Sequence, residues 1–340
     1  MNRRFLNSPD FLGPDTYRFH QGHGCTDVYP CRVRAGSKMR IAPILVCGLL
    51  GTATFSAGQQ TAPETQTPTI RLNVNLVQLN VTATDSSGRT ISGLGQQAFQ
   101  LFVDDVQQPI TVFHGEDAPV SAGIVIDNSA SMESKRSEVV AAALAFARAS
   151  NPQDQMFVVH FNDQVRLGLP PDKPFTSDVS ELEAAISRFS LGGSTALYDA
   201  LALAQSQFRK AVFTRKVLLI ITDGGDNSSR IPLKDVLNGA ITGGIVMYCI
   251  GLFDETDRDR SPRVLTQLSE VTGGEAFFPP NVTDTTNIAV QIARVIRRQY
   301  TLGFAGGEDG KYHRIKVTVH DPKAGTLKAH TRAGYFAVKP

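Results

Sequence analysis

Four apolar runs, each followed by a segment of helical period, set the limits on what this chain can fold into. They are Gly123–Ile126, Met156–Phe161, Val217–Ile221 and Ile245–Leu252. None shows the strict apolar–polar alternation of a strand with one wet face. Unbroken runs mark strands covered on both faces. Helical patterns fill 134–149, 178–189, 196–210, 232–241, 261–272 and 284–298. Strand–helix alternation over 119–298 predicts an α/β fold with a doubly wound, mostly parallel sheet. In such sheets ligands lie beyond the carboxyl ends of the strands, so the residues just after each run carry the functional information.

The flanks read differently. In 69–118, Ile70, Leu72, Val74 and Leu76 alternate, and the phase then flips to Val77, Leu79, Val81 and Ala83. A flip in mid-run predicts a bulge or a strand that changes sheet. Phe99, Leu101 and Val103 alternate again, and Asp104-Asp105 reads as a hairpin turn before Ile110 and Val112. Residues 299–340 return to strands, with Tyr300–Phe304, a turn at Gly306, Gly307 and Gly310, alternating Ile315, Val317 and Val319, and a last run from Leu327 to Phe336. Neither flank is long enough to bury its own core. The expectation is one small β-sandwich-like domain built from 69–118 and 299–340, with the α/β domain inserted between them.

Residues 1–38 are rich in Arg, Gly, His and Pro without an apolar period, and are expected to lie outside any folded unit. Met39-Arg40, the run Ile41 to Phe55 and the small residues Ser56, Ala57 and Gly58 follow the order of a secretory signal. The run falls short of the ~18 residues of a spanning helix. A cleaved signal at 39–58 and a polar linker at 59–68 are therefore expected, with membrane contact only if the signal stays uncleaved. Val46 before Cys47 argues against a lipoprotein. The expected location is secreted, or periplasmic and cell-envelope. Cys25, Cys31 and Cys47 precede the cleavage zone, so the mature chain keeps Cys249 alone, inside an apolar run, as a buried inert thiol. A net charge of +2 gives no reason to expect nucleic acid as a partner.

The chemistry-bearing residues lie at the strand ends. Ile124-Val125-Ile126 is followed by Asp127-Asn128-Ser129-Ala130-Ser131. Val217–Ile221 is followed by Thr222-Asp223-Gly224-Gly225-Asp226. Between them Leu191-Gly192-Gly193-Ser194-Thr195-Ala196 presents hydroxyls at a helix start. Together these loops offer oxygen ligands only: Asp127, Ser129, Ser131, Thr195 and Asp223. Such a set suits a hard divalent cation, Mg²⁺ first, with Mn²⁺ or Ca²⁺ as alternatives. Two carboxylates balance the metal's charge. Three neutral hydroxyls leave it electrophilic, so an open position would attract an external carboxylate.

Asp-x-Ser-x-Ser, a distant Thr in a glycine loop and Thr-Asp-Gly, in that order, resemble the metal-ion-dependent adhesion site of the von Willebrand factor A domain. The resemblance covers roughly 119–300. The flanking β segments, with Tyr300–Phe304 and Arg332-Ala-Gly-Tyr335, look like those of bacterial proteins related to that family. The resemblance implies that Ser129, Ser131 and Thr195 ligate the metal directly and that Asp127 and Asp223 act through water. It further implies a partner's Asp or Glu to complete the shell. Ala130 stands where the family commonly has Gly, which removes no ligand.

Blander readings stay open at this point. Asp127, Ser194 and Thr195 are also good helix caps. Asp226 and Asn227 read as turn residues, Asp254, Glu255, Asp257 and Asp259 as a solvated acidic loop, and Arg294, Arg297 and Arg298 as an exposed helix face. A serine hydrolase would need Ser129 or Ser194 with a base, and His160, at a strand end, is the candidate against a neutral sheet-edge histidine. No His-Glu-x-x-His, Cys-x-x-Cys or phosphate-loop motif occurs. The expected function is a non-enzymatic binding module for an acidic group on a protein, without nucleic acid or a small-molecule substrate. The alternatives are a metal-assisted serine hydrolase and a scaffold whose metal is purely structural.

Overall fold

The computed structural model describes residues 75–339 apart from 116, 189–190, 254–259 and 323–324, all within one compact unit, Thr69–Pro340. The expectations for 1–38, 39–58 and 59–68, the alternation at Ile70–Val74, Cys25, Cys31 and Cys47, and the acidic loop of Asp254, Glu255, Asp257 and Asp259 lie outside the described residues.

The first flank carries β1 (Leu76–Thr84), β2 (Phe99–Val103), β3 (Val106–Gln108) and β4 (Val112–His114). The central segment runs β5 (Ser121–Asp127), α1 (Arg136–Ala149), β6 (Gln155–Phe161), β7 (Val165–Leu167), α2 (Val179–Ser187), α3 (Leu197–Gln207), β8 (Lys216–Thr222), α4 (Leu233–Gly243), β9 (Ile245–Gly251), α5 (Pro262–Thr272), β10 (Ala276–Phe277) and α6 (Thr285–Arg297). The second flank holds β11 (Tyr300–Ala305), β12 (Tyr312–Asp321), β13 (Gly325–His330) and β14 (Gly334–Phe336).

The central strands form one sheet in the order β10-β9-β8-β5-β6-β7, parallel except for β7, which turns back on β6. All seven residues of β5 are buried, because α1, α2 and α6 cover one face and α3, α4 and α5 the other. The edge strands β7 and β10, with three and two residues, are too short to leave a periodic signal in the sequence. Cys249 on β9 is fully buried, and burial pushes its thiol upward. The chain passes from α5 into β10 over Gly274, where a Cβ would stand 2.0 Å from the Met247 carbonyl oxygen.

The flanking strands form one antiparallel sheet, β3-β2-β12-β13-β1-β11-β4, with β14 on β12. The sandwich expectation is corrected here, and the reason lies in β1. Its residues Leu76–Val81 pair with β11, and Thr82–Thr84 pair with β13, so one strand joins what would have been two sheets. Of the two alternating phases, Val77, Leu79, Val81 and Ala83 point inward and Leu76 is exposed. The sheet curls around a single core. Phe99 on β2 and Phe113 on β4, near opposite ends of the strand order, bring their rings to 5.6 Å, and Phe99 meets Tyr300 at 4.9 Å. Asp104 and Asp105, at φ 47° and 66°, make the expected tight turn, but the returning strand is β3. Val112 pairs instead with Gly303 on β11.

The two sheets meet at the amino-terminal edge of the parallel one. Arg332, between β13 and β14, donates to the Ile241 carbonyl at the end of α4 (2.9 Å) and the Gln78 carbonyl on β1 (3.1 Å).

Two outcomes follow for stability. Gly274→Ala forces a methyl onto backbone, so the urea midpoint should fall by an equivalent of about 1–3 kcal/mol or more. His313 faces Asp309 through Nε2 (2.9 Å) and Asp104 through Nδ1 (2.7 Å), and both carboxylates raise its pKa. A raised folded-state pKa contributes stability that is full below the unfolded value of ~6.5 and is lost as pH rises through the folded value. The gap in urea midpoint between the native chain and His313→Gln should therefore be wider at pH 5.5 than at pH 9.

Candidate metal centre

The site grows from the pairing of β5 with β8, in which Ile126 stands opposite Ile221. Neighbouring strands lie ~4.8 Å apart. Asp127, the last residue of β5, and Asp223, the first after β8, are thereby held close together. Asp127 Oδ1 accepts from the Ser129 N–H (2.9 Å), and its Oδ2 accepts from Thr222 Oγ1 (2.5 Å). Thr222 Oγ1 in turn accepts the Gly224 N–H at 3.0 Å. Asp223 Oδ1 accepts the Gly225 N–H (3.0 Å), and Oδ2 accepts from Ser131 Oγ (2.5 Å). The Ser129 hydroxyl lies 3.2 Å from that of Ser131. Ser129, Ser131 and Asp223 thus form one hydrogen-bonded chain, with Asp127 behind it. A single short 3₁₀ helix, Ala130–Lys135, bends the backbone so that both serines face the same way.

The third loop joins through its backbone. The Ala130 N–H donates to the Gly193 carbonyl (3.3 Å), and the Gly192 N–H donates to the Asn128 carbonyl (2.9 Å). Gly192 and Gly193 have φ of 120° and 85°, a region that favours glycine. The Thr195 N–H donates to Asn227 Oδ1 at 2.9 Å. Asp127, Ser129, Thr195 and Asp223 are buried while Ser131 is exposed, so the cup opens on the Ser131 side. Neither carboxylate has a Lys, Arg or His partner among the described residues. Burial and, after it, the charge of Asp223 push the Asp127 carboxyl up to about 6.

The capping alternatives do not describe these residues. α1 begins at Arg136, well beyond Asp127, and no side chain caps it. The N-cap of α3 is Ala196, and its first N–H groups are bound from elsewhere. Asp226 Oδ1 accepts the Tyr198 N–H (3.2 Å), Ser229 Oγ accepts the Asp199 N–H (3.1 Å), and Asp199 Oδ1 returns bonds to the N–H groups of Arg230 (3.1 Å) and Ile231 (3.0 Å). Asp226 and Asn227, which read as turn residues, therefore pin the start of α3 and with it Thr195.

Behind the cup lies a layer the sequence did not disclose. Arg136 donates to Asn128 Oδ1 (2.6 Å) and the Ile186 carbonyl (3.1 Å), and Lys135 Nζ donates to the Leu252 carbonyl (3.1 Å). His160 has Nδ1 3.1 Å from Asn128 Nδ2 and Nε2 2.8 Å from the Ala185 carbonyl. Burial pushes it down to about 4, so the ring is neutral, accepting at Nδ1 and donating at Nε2. It is an interior residue of β6 and not a sheet-edge one, and these two bonds direct it toward Asn128 and Ala185. Thr222 could have been found as the first residue of Thr-Asp-Gly. Arg136 and Asn128 carry no signal of their own, since polar residues in a helix-start loop are common.

The donors fit a hard cation: two carboxylate side chains without a cationic partner among the described residues, the hydroxyls of Ser129 and Ser131 beside them, and the Thr195 loop bonded to theirs through the backbone. No group of three or more His, Cys, Asp or Glu that could hold a metal occurs among the described residues.

Residues 123–225 match the model of the von Willebrand factor type A domain, a span that contains all five residues of the cup. No curated protein matches the sequence. Among solved structures, the chain is similar to a von Willebrand factor type A protein from Catenulispora acidiphila at 16% identity, covering 78% of this chain and 73% of that one with a TM-score of 0.48. It is also similar to the vWF domain of the type V pili tip protein Mfa5 from Porphyromonas gingivalis, at 14% identity over 54% and 98% of the two chains, TM-score 0.43. A third is proximal thread matrix protein 1 from the mussel byssus with a zinc-occupied MIDAS motif, at 16% identity over 57% and 49%, TM-score 0.45.

Thr222→Val keeps the shape of the residue but leaves Asp127 Oδ2 and the Gly224 N–H short of a partner. It should lower stability to urea by about 1–3 kcal/mol. Asp226→Ala uncaps α3 and should cost about 0.5–2 kcal/mol.

Proposed function

With a von Willebrand factor type A domain over residues 123–225 as premise, we propose that the chain is a protein-binding module whose cup holds a divalent cation. Mg²⁺ is the first choice, with Mn²⁺ or Ca²⁺ as alternatives. In this reading Ser129, Ser131 and Thr195 supply hydroxyl ligands, and Asp127 and Asp223 supply charge through water. The bound ion supplies Lewis acidity toward an external carboxylate, an Asp or Glu of a protein partner. The chain's own residues hold the donors still: Thr222 orients Asp127, Gly225 orients Asp223, and Asn227 seats the Thr195 loop.

The observation that carries the reading is the chain Ser129–Ser131–Asp223 with Asp127 alongside, open to solvent at Ser131 and lacking a basic partner. It favours binding over hydrolysis, because both ring nitrogens of His160 are engaged, by Asn128 and Ala185, and burial lowers its basicity. We propose no catalysed reaction. Export fits the signal-like pattern of residues 39–58. No helix among the described residues is long and apolar enough to cross a membrane.

Calorimetric titration with MgCl₂, MnCl₂ and CaCl₂ tests the site. One cation should bind at a single site and raise the melting temperature, by an equivalent of about 2.7 kcal/mol at a hundredfold excess over Kd. Asp127→Ala and Asp223→Ala should abolish both effects, and Ser131→Ala should weaken them. A glutamate-containing peptide should then bind in Mg²⁺ and be released by EDTA. Absence of binding for all three cations, or binding unchanged in the Asp variants, rejects the reading. Metal binding that stabilises the fold while no carboxylate ligand associates would leave the metal purely structural.

A further inference from the structure

A second contact surface, independent of the cup, lies along the open edge of the parallel sheet. β10 ends the strand order and, among the described residues, pairs on one side only, with β9. Beside it opens a cleft of about 1450 Å³. Two of its walls come from opposite faces of the sheet, because α6 packs with α1 and α5 packs with α4, and a third comes from the end of β1 and the turn after it, where Arg89 is paired with Asp85. On the α6 wall stand Asn287, Gln291, Arg294 and Arg298, spaced four, three and four apart, which places them in one stripe of an α-helix. All four are exposed. The side chains of Arg294 and Arg298 have no ion pair or hydrogen bond among the described residues. The α5 wall carries Thr266 and Glu270. Farther along, β13 adds Lys328 and His330, with Glu275 between the walls.

From this we infer that the β10 edge takes an extended segment of a partner protein, added as a further strand and bearing acidic side chains at alternate positions. Period two decides the pattern. A strand laid on a sheet edge sends successive side chains to opposite faces, so here every second one meets α6 and the others meet α5. Arg294 and Arg298, four residues apart at ~1.5 Å rise, stand ~6 Å apart along the helix. Same-face side chains of a strand repeat at ~6.6 Å. Two acidic residues at i and i+2 therefore match the two guanidinium groups. The positions between them face Thr266 and Glu270, which suits polar residues and rejects acidic ones. A run of acidic residues would set every second carboxylate against Glu270. The stripe from Asn287 to Arg298 spans ~16 Å, the reach of about five strand residues. The short β10 supplies few main-chain bonds, so recognition rests on charge spacing together with strand addition.

Fluorescence anisotropy tests this with a fluorescein-labelled decapeptide of alternating glutamate and threonine, in EDTA so that the cup makes no contribution. The alternating peptide should bind saturably and at least fivefold more tightly than the block peptide of five glutamates and five threonines. Arg294→Glu with Arg298→Glu should weaken it at least tenfold at an unchanged melting temperature, while a decapeptide of alternating lysine and threonine should gain affinity for that variant. Asp127→Ala should bind like the native chain. This separates the edge from the cup, since either site can fail alone. Equal binding of block and alternating peptides, indifference to the double substitution, or equal displacement by dextran sulfate would overturn the proposal, the last pointing to an anionic polysaccharide.

Discussion

The pairing of β5 with β8 is the constraint on which the rest depends. A parallel ladder buried on both faces is held in register by close packing, because a shifted row of Ile, Val and Leu side chains would no longer fit the helices on either side. That rigidity carries through to the strand ends, where Asp127 and Asp223 must stay close despite their mutual repulsion. Their burial would be costly without donors. The Ser129, Gly225, Thr222 and Ser131 groups supply them, two from the backbone and two from hydroxyls. The cup is therefore a consequence of the core: hydrophobic register places the acids, and the loops that leave the strands satisfy them.

How much of this could be read from the sequence depended on period. The helices fall within a few residues of their 3.6-residue patterns, and β5, β6, β8 and β9 lie on the apolar runs. The flip in phase at Leu76–Val77 predicted a bulge or a strand that changes sheet, whereas β1 changes partner at Thr82. The flip could not say that the two partners belong to one curled sheet, since that is decided by β11 and β13, more than two hundred residues away. β7 and β10 escaped because two or three residues hold no period. At the site, the five oxygen-bearing residues were legible as a motif, and the structure brings their loops together. The residues that hold them were not legible. Asp226 and Ser229 cap a helix they do not belong to, and Arg136 reaches back to Asn128. Such contacts are made across loops, and local pattern is silent about them.

The placement of the α/β segment between the two flanking β segments sets its own requirement. The chain must enter and leave the α/β part at the same edge of its sheet, or the flanking strands could not pair. Arg215, at the foot of β8, meets that requirement. Its buried guanidinium donates to the Ala118 carbonyl just before β5 (2.6 Å) and to the Ile296 carbonyl at the end of α6 (2.8 Å). Asp117 and Arg297 form an ion pair across the same gap (2.8 Å), and the Asp117 N–H donates to the Arg297 carbonyl (2.6 Å). With entry and exit tied, β4 and β11 emerge side by side and pair. Closing this loop through short polar bonds costs little more than closing a shorter one, since loop entropy grows only with the logarithm of length. The arrangement commits the amino-terminal edge of the parallel sheet to the flanking antiparallel one. The two acids stand at the opposite, carboxyl-terminal edge, at the ends of β5 and β8.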